Sequence, residues 1–197
     1  CRLGSGVLDE ILWLRRAKLH RAVAMDSYSA RANTIFCSFV TVLGTMAALN
    51  HMTTLMPEFQ ASPQASVSLN KLHDLTFNNN LNMDQGMLSF NLEHDLSSEF
   101  NWNMNQLFVY MVASYNNTSN KRNEVTLWDR VVTGPEDAVF KSSNPLMLEY
   151  PLRDQYRELR GKDIRLHLRY QTMPITGIMH PKEVAVGDFK AATEYFR

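Results

Sequence analysis

The six histidines are where a search for catalytic chemistry begins, because a nucleophile needs a base within reach and the base needs an orienting group. His73 and His94 each precede an aspartate, but neighbours in a strand point to opposite faces, so neither pair forms a natural dyad. His167 lies between Arg165 and Arg169, a pattern typical of a solvated strand face. The sequence contains no Gly-x-Ser-x-Gly, His-Glu-x-x-His, Gly-rich phosphate loop or Cys-x-x-Cys motif. A Ser–Lys dyad stays open on composition alone, but we predict no catalytic residue.

Composition narrows the classes of ligand. The chain has 197 residues, with 20 basic and 20 acidic side chains and a formal net charge of zero. A general nucleic-acid binder would need a basic surface that displaces counterions, so we expect no nucleic-acid partner. Only two cysteines occur, Cys1 and Cys37, which excludes a thiolate metal site and a disulfide scaffold. We predict no metal, no cofactor and no small-molecule substrate.

An uncharged stretch, Ile35 to Met56, contains no Asp, Glu, Lys or Arg. A helix that crosses a bilayer needs about 20 residues, so this stretch predicts one transmembrane signal-anchor helix and a bilayer as partner. Asn50 and His51 lie past its midpoint, where burial is costly without a partner, so both are candidates for contact with a neighbouring helix. A cleaved signal peptide, with a small-residue site at Thr45–Ala47, and a buried core helix are the alternatives.

Flanking charge predicts the orientation of the span. Several basic residues precede it, and no Lys or Arg follows it until Lys71. These basic residues are Arg15, Arg16, Lys18, Arg21 and Arg31. The positive-inside rule then puts the N-terminus in the cytosol and everything after Pro57 across the membrane.

Residues 1–24 precede Met25, a plausible initiator, and combine leucines with basic residues. We interpret them as an upstream extension, with a basic amphipathic membrane-surface helix or cytosolic tail as the alternative. The predicted organisation continues with a cytosolic N-terminus at 25–34, the span at 35–56, a Pro-containing linker at 57–64 and a lumenal domain at 65–197.

The part of the chain after the linker reads as β structure. In the segment 162–171, Ile164, Leu166, Leu168 and Tyr170 alternate with polar residues. Further strands are predicted at 65–69, 87–96, 107–114, 125–132 and 183–186, and 150–160 is either a helix or a charged loop. Short strands with uneven loops and no βαβ pattern predict a mainly β protein, an antiparallel β-sandwich preceded by one transmembrane helix.

Aromatic residues are densest between Phe100 and Asp129, where two predicted strands flank a polar loop. Core packing and docking to a partner stay open for these rings; Trp102, between Asn101 and Asn103 at the entry to a strand, is the strongest docking candidate. The candidates for partner contact are Phe100, Trp102, Asn103, Trp128, Asn50 and His51. The loop carries two overlapping N-glycosylation sequons, at Asn116 and Asn117.

Several sequence segments, spread over nearly the whole chain from Met25, together form a specific pattern. The most specific are F-N-W-N-M-N-Q-L-F at Phe100–Phe108 and V-T-L-W-D at Val125–Asp129. The others are M-D-S-Y-S-A-R-A-N-T at Met25–Thr34, A-S-V-S-L at Ala65–Leu69, L-R-G-K-D-I-R-L-H-L at Leu159–Leu168 and M-P-I-T-G at Met173–Gly177. With these segments, the chain from Met25 onward resembles subunit 3 of the eukaryotic signal peptidase complex.

The resemblance implies a single-span protein of the endoplasmic reticulum membrane with a lumenal β-sandwich. It also implies a non-catalytic role beside the catalytic and other subunits of the complex, whose serine-protease subunit removes signal peptides from translocated chains. Residues 1–24 have no counterpart in the family pattern, and a sequon that some relatives carry near 162–165 is absent. The alternatives are a lumenal or secreted lectin-like or adhesion-like sandwich whose signal peptide is cleaved, and an independent hydrolase.

Overall fold

A computed structural model describes residues 27–56, 62–118 and 120–196. The predicted extension at 1–24 and most of the linker at 57–64 lie outside the described residues. The described chain falls into two compact units: residues 27–49, which belong to the unit Cys1–Leu49, and the unit Asn50–Arg197.

Helix α1 runs from Tyr28 to Thr53, with 26 residues and a mean hydropathy of 1.6 over its most apolar window. It begins before the predicted Ile35 because Ser27 caps it: Ala30 N–H donates to Ser27 Oγ (3.2 Å). At about 1.5 Å per residue its length is about 39 Å, which exceeds the hydrocarbon thickness of a bilayer. None of its residues is buried within the described chain, so by length and composition α1 is suited to cross a membrane.

The second unit contains two antiparallel sheets. The strands are β1 (Gln64–Asn78), β2 (Met83–Asp95), β3 (Met104–Tyr115), β4 (Asn123–Val132), β5 (Val139–Lys141), β6 (Leu146–Met147), β7 (Leu152–Asp154), β8 (Asp163–Pro174) and β9 (Pro181–Lys190). In the first sheet β2 lies beside β1 and, along its other edge, pairs with the short strands β5, β6 and β7. The second sheet has the order β4-β3-β8-β9. The predicted antiparallel β fold after one apolar helix is confirmed.

The core lies between the two sheets. The alternating residues of β8, Ile164, Leu166, Leu168 and Tyr170, are all buried, as the alternation predicts. Aromatic packing joins the sheets: Phe90 of β2 and Trp128 of β4 meet edge to face with ring centroids 6.2 Å apart.

The sandwich has two ends, which we name by their residues. The near end contains Met104, which pairs with Pro174, and the residues Asn50 to Thr53 that close α1. The far end contains the β1–β2 turn after Asn78 and the β3–β4 loop after Tyr115. Because β3 has 12 residues, the two ends are about 40 Å apart.

Candidate functional site

The amide of Asn103 holds the near end together. This buried side chain donates from Nδ2 to the carbonyl oxygen of Thr176 (2.7 Å), and its Oδ1 accepts from Thr176 N–H (3.0 Å) and from Asn50 Nδ2 (2.8 Å). Asn50 Nδ2 also donates to Thr176 Oγ1 (2.8 Å). We call these three residues the Asn103 cluster. It joins the end of α1, the start of β3 and the β8–β9 loop.

Local sequence explains how the Asn103 cluster forms. Asn101 Oδ1 accepts a hydrogen bond from Asn103 N–H (2.9 Å), a turn that asparagine favours, and this turn leads into β3. The loop approaches closely because Gly177 has a φ of +117° and no side chain. A Cβ at that position would lie 2.3 Å from His51 Nδ1, so only glycine fits against the imidazole.

Beside the Asn103 cluster lies a cavity of about 690 Å³ that includes His51, Glu99, Tyr170 and Lys182 in its wall. Buried Glu99 accepts from Tyr170 OH (2.5 Å) and from Lys182 Nζ (2.8 Å). Burial raises the pKa of Tyr170, and the bond to Glu99 adds to the rise. Lys182 balances the charge of the buried Glu99 carboxylate, and a buried charge is tolerated when it is paired in this way.

The aromatic candidates for partner contact differ in exposure. Trp128 is buried against Phe90, and Phe100 is half-buried against the core. Trp102, next to Asn103 at the near end, keeps 49% of its surface exposed. Among the proposed contact residues, Trp102 therefore offers the largest ring to a partner, whereas Asn50 and Asn103 satisfy each other within the chain.

A Ser–His–Glu arrangement lies on the outer face of the second sheet. Ser114 Oγ is 2.7 Å from His167 Nε2, and His167 Nδ1 is 2.8 Å from Glu183 Oε2. Glu183 also accepts from Arg169 Nε (3.3 Å). The order of groups is that of a nucleophile, a base and an orienting carboxylate. The sequence did not reveal it, since only the register of β3, β8 and β9 brings the three residues together.

The backbone at Ser114 argues against acyl transfer. Ser114 pairs with Glu124 on one side and with Arg165 on the other, so its backbone N–H belongs to the sheet and is not an oxyanion donor. Half of the residues that line the neighbouring cavity of about 760 Å³ are charged, among them Lys121 and Arg165. The arrangement therefore fits a polar network that ties strands together better than a hydrolytic centre.

Charge pairing extends that network to β4. Arg169 donates to Glu124 from both terminal nitrogens (3.1 and 3.0 Å), and Arg122 also donates to Glu124. The bonds from Arg169 are the main cause that lowers the pKa of Glu124 to about 2. The bond to Glu124 likewise raises the pKa of the Arg169 guanidinium. Glu124 thus remains ionised under all but strongly acidic conditions.

The sequon loop lies at the far end, and its two asparagines differ. Asn116 is exposed, whereas Asn117 is half-buried and donates from Nδ2 to Asp154 (3.4 Å) while its Oδ1 accepts from Asn120 N–H (2.6 Å). A glycan is added to the side-chain nitrogen of asparagine, so Asn116 is the more accessible acceptor. Within the described ranges, no three His, Cys, Asp or Glu residues group in a way that could hold a metal ion.

Sequence comparisons identify proteins that are similar to this chain. Residues 25–194 match the family described as Signal peptidase subunit. The chain is 31% identical over 173 residues to Signal peptidase complex subunit 3 of Dictyostelium discoideum, covering 88% of this chain and 98% of the relative. It is 33% identical over 90 residues to Signal peptidase complex subunit 3 of Oryza sativa subsp. japonica, covering 46% and 60%. It is 31% identical over 159 residues to Adipocyte-related X-chromosome expressed sequence 1 of Mus musculus, covering 79% and 87%.

Proposed function

The chain belongs to the Signal peptidase subunit family, and from that premise we propose that it is a non-catalytic accessory subunit of the signal peptidase complex. In this role it supports and positions the serine-protease subunit in the endoplasmic reticulum membrane. Its partners are the catalytic and other subunits and the lipid bilayer.

The Asn103 cluster is the observation that carries this proposal. It fixes the last turn of α1 to the start of β3 and to the β8–β9 loop through five hydrogen bonds among three side chains and the backbone of Thr176. A subunit that positions another needs a surface of fixed geometry, and within the second unit this cluster fixes the residues that end α1 against the sandwich. Trp102, half-exposed beside it, is the residue that we propose for contact with the protease subunit.

The orientation completes the proposal. Residues 25–34, which include the first turns of α1, are cytosolic, the rest of α1 spans the membrane, and the sandwich from residue 65 onward is lumenal, in agreement with the basic residues that precede the span. Protease protection of sealed microsomes tests this arrangement. Digestion of the region after Pro57 without detergent would contradict it.

The sequon loop gives a second test of orientation, with a matched pair of variants. Thr118→Ala removes the Asn116 sequon and leaves the Asn117 sequon in place, because position 118 is only the variable middle residue of the latter, whose hydroxyl residue is Ser119. Ser119→Ala removes only the Asn117 sequon. Since Asn116 is the exposed acceptor, we expect Thr118→Ala to abolish a glycosidase-sensitive mass shift and Ser119→Ala to retain it. Retention of the shift in Thr118→Ala would contradict the assignment to Asn116.

Recovery from mild detergent tests the role itself. The tagged full-length chain is expected to bring down the catalytic subunit, and its depletion is expected to slow the removal of signal peptides in cells. Recovery without that subunit, combined with normal processing after depletion, would overturn the proposal. The purified chain alone is expected to leave a signal-peptide substrate uncut.

An independent hydrolase is the second candidate, and the Ser114–His167–Glu183 arrangement favours it. A hydrolase of this kind would cleave an activated ester when purified by itself, and Ser114→Ala would abolish the cleavage. Equal background rates for the two proteins would remove this candidate. Because the backbone N–H of Ser114 belongs to the sheet and is not an oxyanion donor, we expect equal rates.

A further inference from the structure

The loop between β8 and β9 exposes an apolar tip at the near end. Ile175, Ile178 and Met179 have 68%, 66% and 53% of their surfaces exposed. Between Pro174 and Pro181 the loop contains no Asp, Glu, Lys or Arg. Scattered single apolar residues are ordinary on a surface, but three within five positions on one uncharged loop form a patch that needs a cover.

The Asn103 cluster fixes the position of this loop relative to the last turn of α1. Thr176 is hydrogen-bonded to Asn50 (2.8 Å), and Gly177 lies against the ring of His51. The tip is therefore level with the last turn of α1, whose final residue is Thr53. A helix that crosses a bilayer brings this turn to the boundary between hydrocarbon and headgroups.

Three more exposed apolar side chains lie at the end of α1 and directly after it. Met52, Leu55 and Met56 are exposed within the same unit as the loop. Together the six residues form what we call the apolar rim: Met52, Leu55, Met56, Ile175, Ile178 and Met179. Met52, Leu55 and Met56 directly continue the apolar sequence of α1. The lipid that surrounds α1 in a membrane can therefore also cover the apolar rim.

Neighbouring residues match a membrane interface. Trp102 is half-exposed at the near end, and tryptophan is enriched at the headgroup level of bilayers. Lys182, the first cation after the loop, has a half-exposed side chain whose ammonium group binds buried Glu99. The far end differs, because there the β3–β4 loop from Asn116 to Asn123 is polar.

We propose that the β8–β9 loop inserts Ile175, Ile178 and Met179 into the lipid leaflet at which α1 ends. The occupant of the apolar rim is the headgroup–acyl boundary of the bilayer, where apolar side chains bury about 5–10 Å deep. The sandwich is then held at the membrane by two attachments, α1 and the loop. This inference rests on the proposed passage of α1 through the membrane.

Depth-dependent quenching tests the proposal on the full-length chain. In a background with Cys1→Ser and Cys37→Ser, single cysteines are introduced by Ile178→Cys, Ile175→Cys, Leu43→Cys and Leu81→Cys and labelled with an environment-sensitive fluorophore. Each protein is reconstituted into phosphatidylcholine vesicles that carry a nitroxide high or low on the acyl chain. Leu43, within α1, reports the span, and Leu81, an exposed apolar residue in the β1–β2 turn of the far end, is the matched control.

We expect the labels at 178 and 175 to lose a large part of their emission to the shallow nitroxide and less to the deep one. The label at 43 should show the opposite order, and the label at 81 should be unaffected by either. Quenching at 43 with none at 178 and 175 would overturn the loop proposal and leave the span intact, whereas no quenching at 43 would refute the span itself. Labels at 178 and 175 that are shielded from aqueous iodide but not quenched by nitroxide lipid would show that protein covers the rim, which would also overturn the proposal.

Discussion

Replacing Asn103 by alanine is the most direct perturbation of the near end. The side chain is buried, and its amide serves the backbone N–H and carbonyl of Thr176 together with the amide of Asn50. After Asn103→Ala, Asn50 and the hydroxyl of Thr176 still have each other as partners (2.8 Å). The backbone groups left without a partner are therefore the N–H and the carbonyl of Thr176, and the Thr176 hydroxyl loses the bond that it donates to Asn103 Oδ1 (3.0 Å).

The expected loss of stability follows from those two groups. A buried donor or acceptor that loses its partner costs about 1–3 kcal/mol. Thr176 is half-buried, so water recovers part of this cost, and the loss of free energy of unfolding is expected to be about 2–4 kcal/mol. For a domain of this size such a loss lowers the Tm by roughly 5–15 °C.

Thermal unfolding followed by tryptophan fluorescence in mild detergent measures this change. Asn91→Ala, a replacement of an exposed asparagine on β2, is the matched control and should alter the Tm by little. Asn103→Asp adds a pH test, because its second carboxyl oxygen would face the carbonyl of Thr176. Burial and that repulsion favour the protonated form, which can donate to the carbonyl, so the variant should gain stability relative to the parent protein as the pH falls. A Tm for Asn103→Ala equal to that of Asn91→Ala would refute the structural role assigned to the amide.

Three further predictions concern the sheets and the partner surface. Arg169 lowers the pKa of Glu124 from 4.5 to about 2 in the folded protein. The pairing of Glu124 therefore stabilises the fold at pH values above the pKa of the unfolded state, and this stabilisation is lost as the pH falls through the pKa of the folded state. Glu124→Gln should accordingly reduce the fall in the free energy of unfolding that acid causes, measured as stability against pH. Gly187→Val should lower the free energy of unfolding by about 1–3 kcal/mol or more, because a Cβ there would lie 2.6 Å from the backbone oxygen of Val67, and Gly134→Val, where a Cβ meets nothing, is its control. Trp102→Ala should reduce recovery of the catalytic subunit at temperatures below the Tm of the variant, and full recovery would remove this ring from the proposed contact.

The long strands could be predicted from the sequence, because the pattern of apolar residues along each strand matches the pattern of buried side chains. The apolar run from Leu107 to Ala113 and the alternation from Ile164 to Tyr170 became β3 and β8, which are adjacent in the second sheet. The short strands β5 and β6 were not predicted, since two or three residues carry no period. The segment 150–160, open between helix and loop, contains β7 and turns instead.

The functional groups were harder to predict than the strands. Ser114, His167 and Glu183 meet through register, and a one-residue shift in pairing would separate them. Asn103 was singled out for contact with a partner, but its environment could not be predicted, because its bonds run to residues 53 and 73 positions away. By contrast, the sequons at Asn116 and Asn117 could be located from sequence, since they fall in a loop between two clear strands.

The long sequence separations within the Asn103 cluster have a consequence for folding. Asn50 bonds to Thr176 across 126 residues, so the end of α1 cannot be fixed until β8 and the following loop have been synthesised and paired with β3. Contacts between residues so far apart in sequence form late, because the entropy of loop closure has to be overcome first. Closure of the Asn103 cluster therefore reports that β8 has been made and paired with β3, and a chain that ends before Thr176 would leave the amides of Asn50 and Asn103 without that partner beside the membrane.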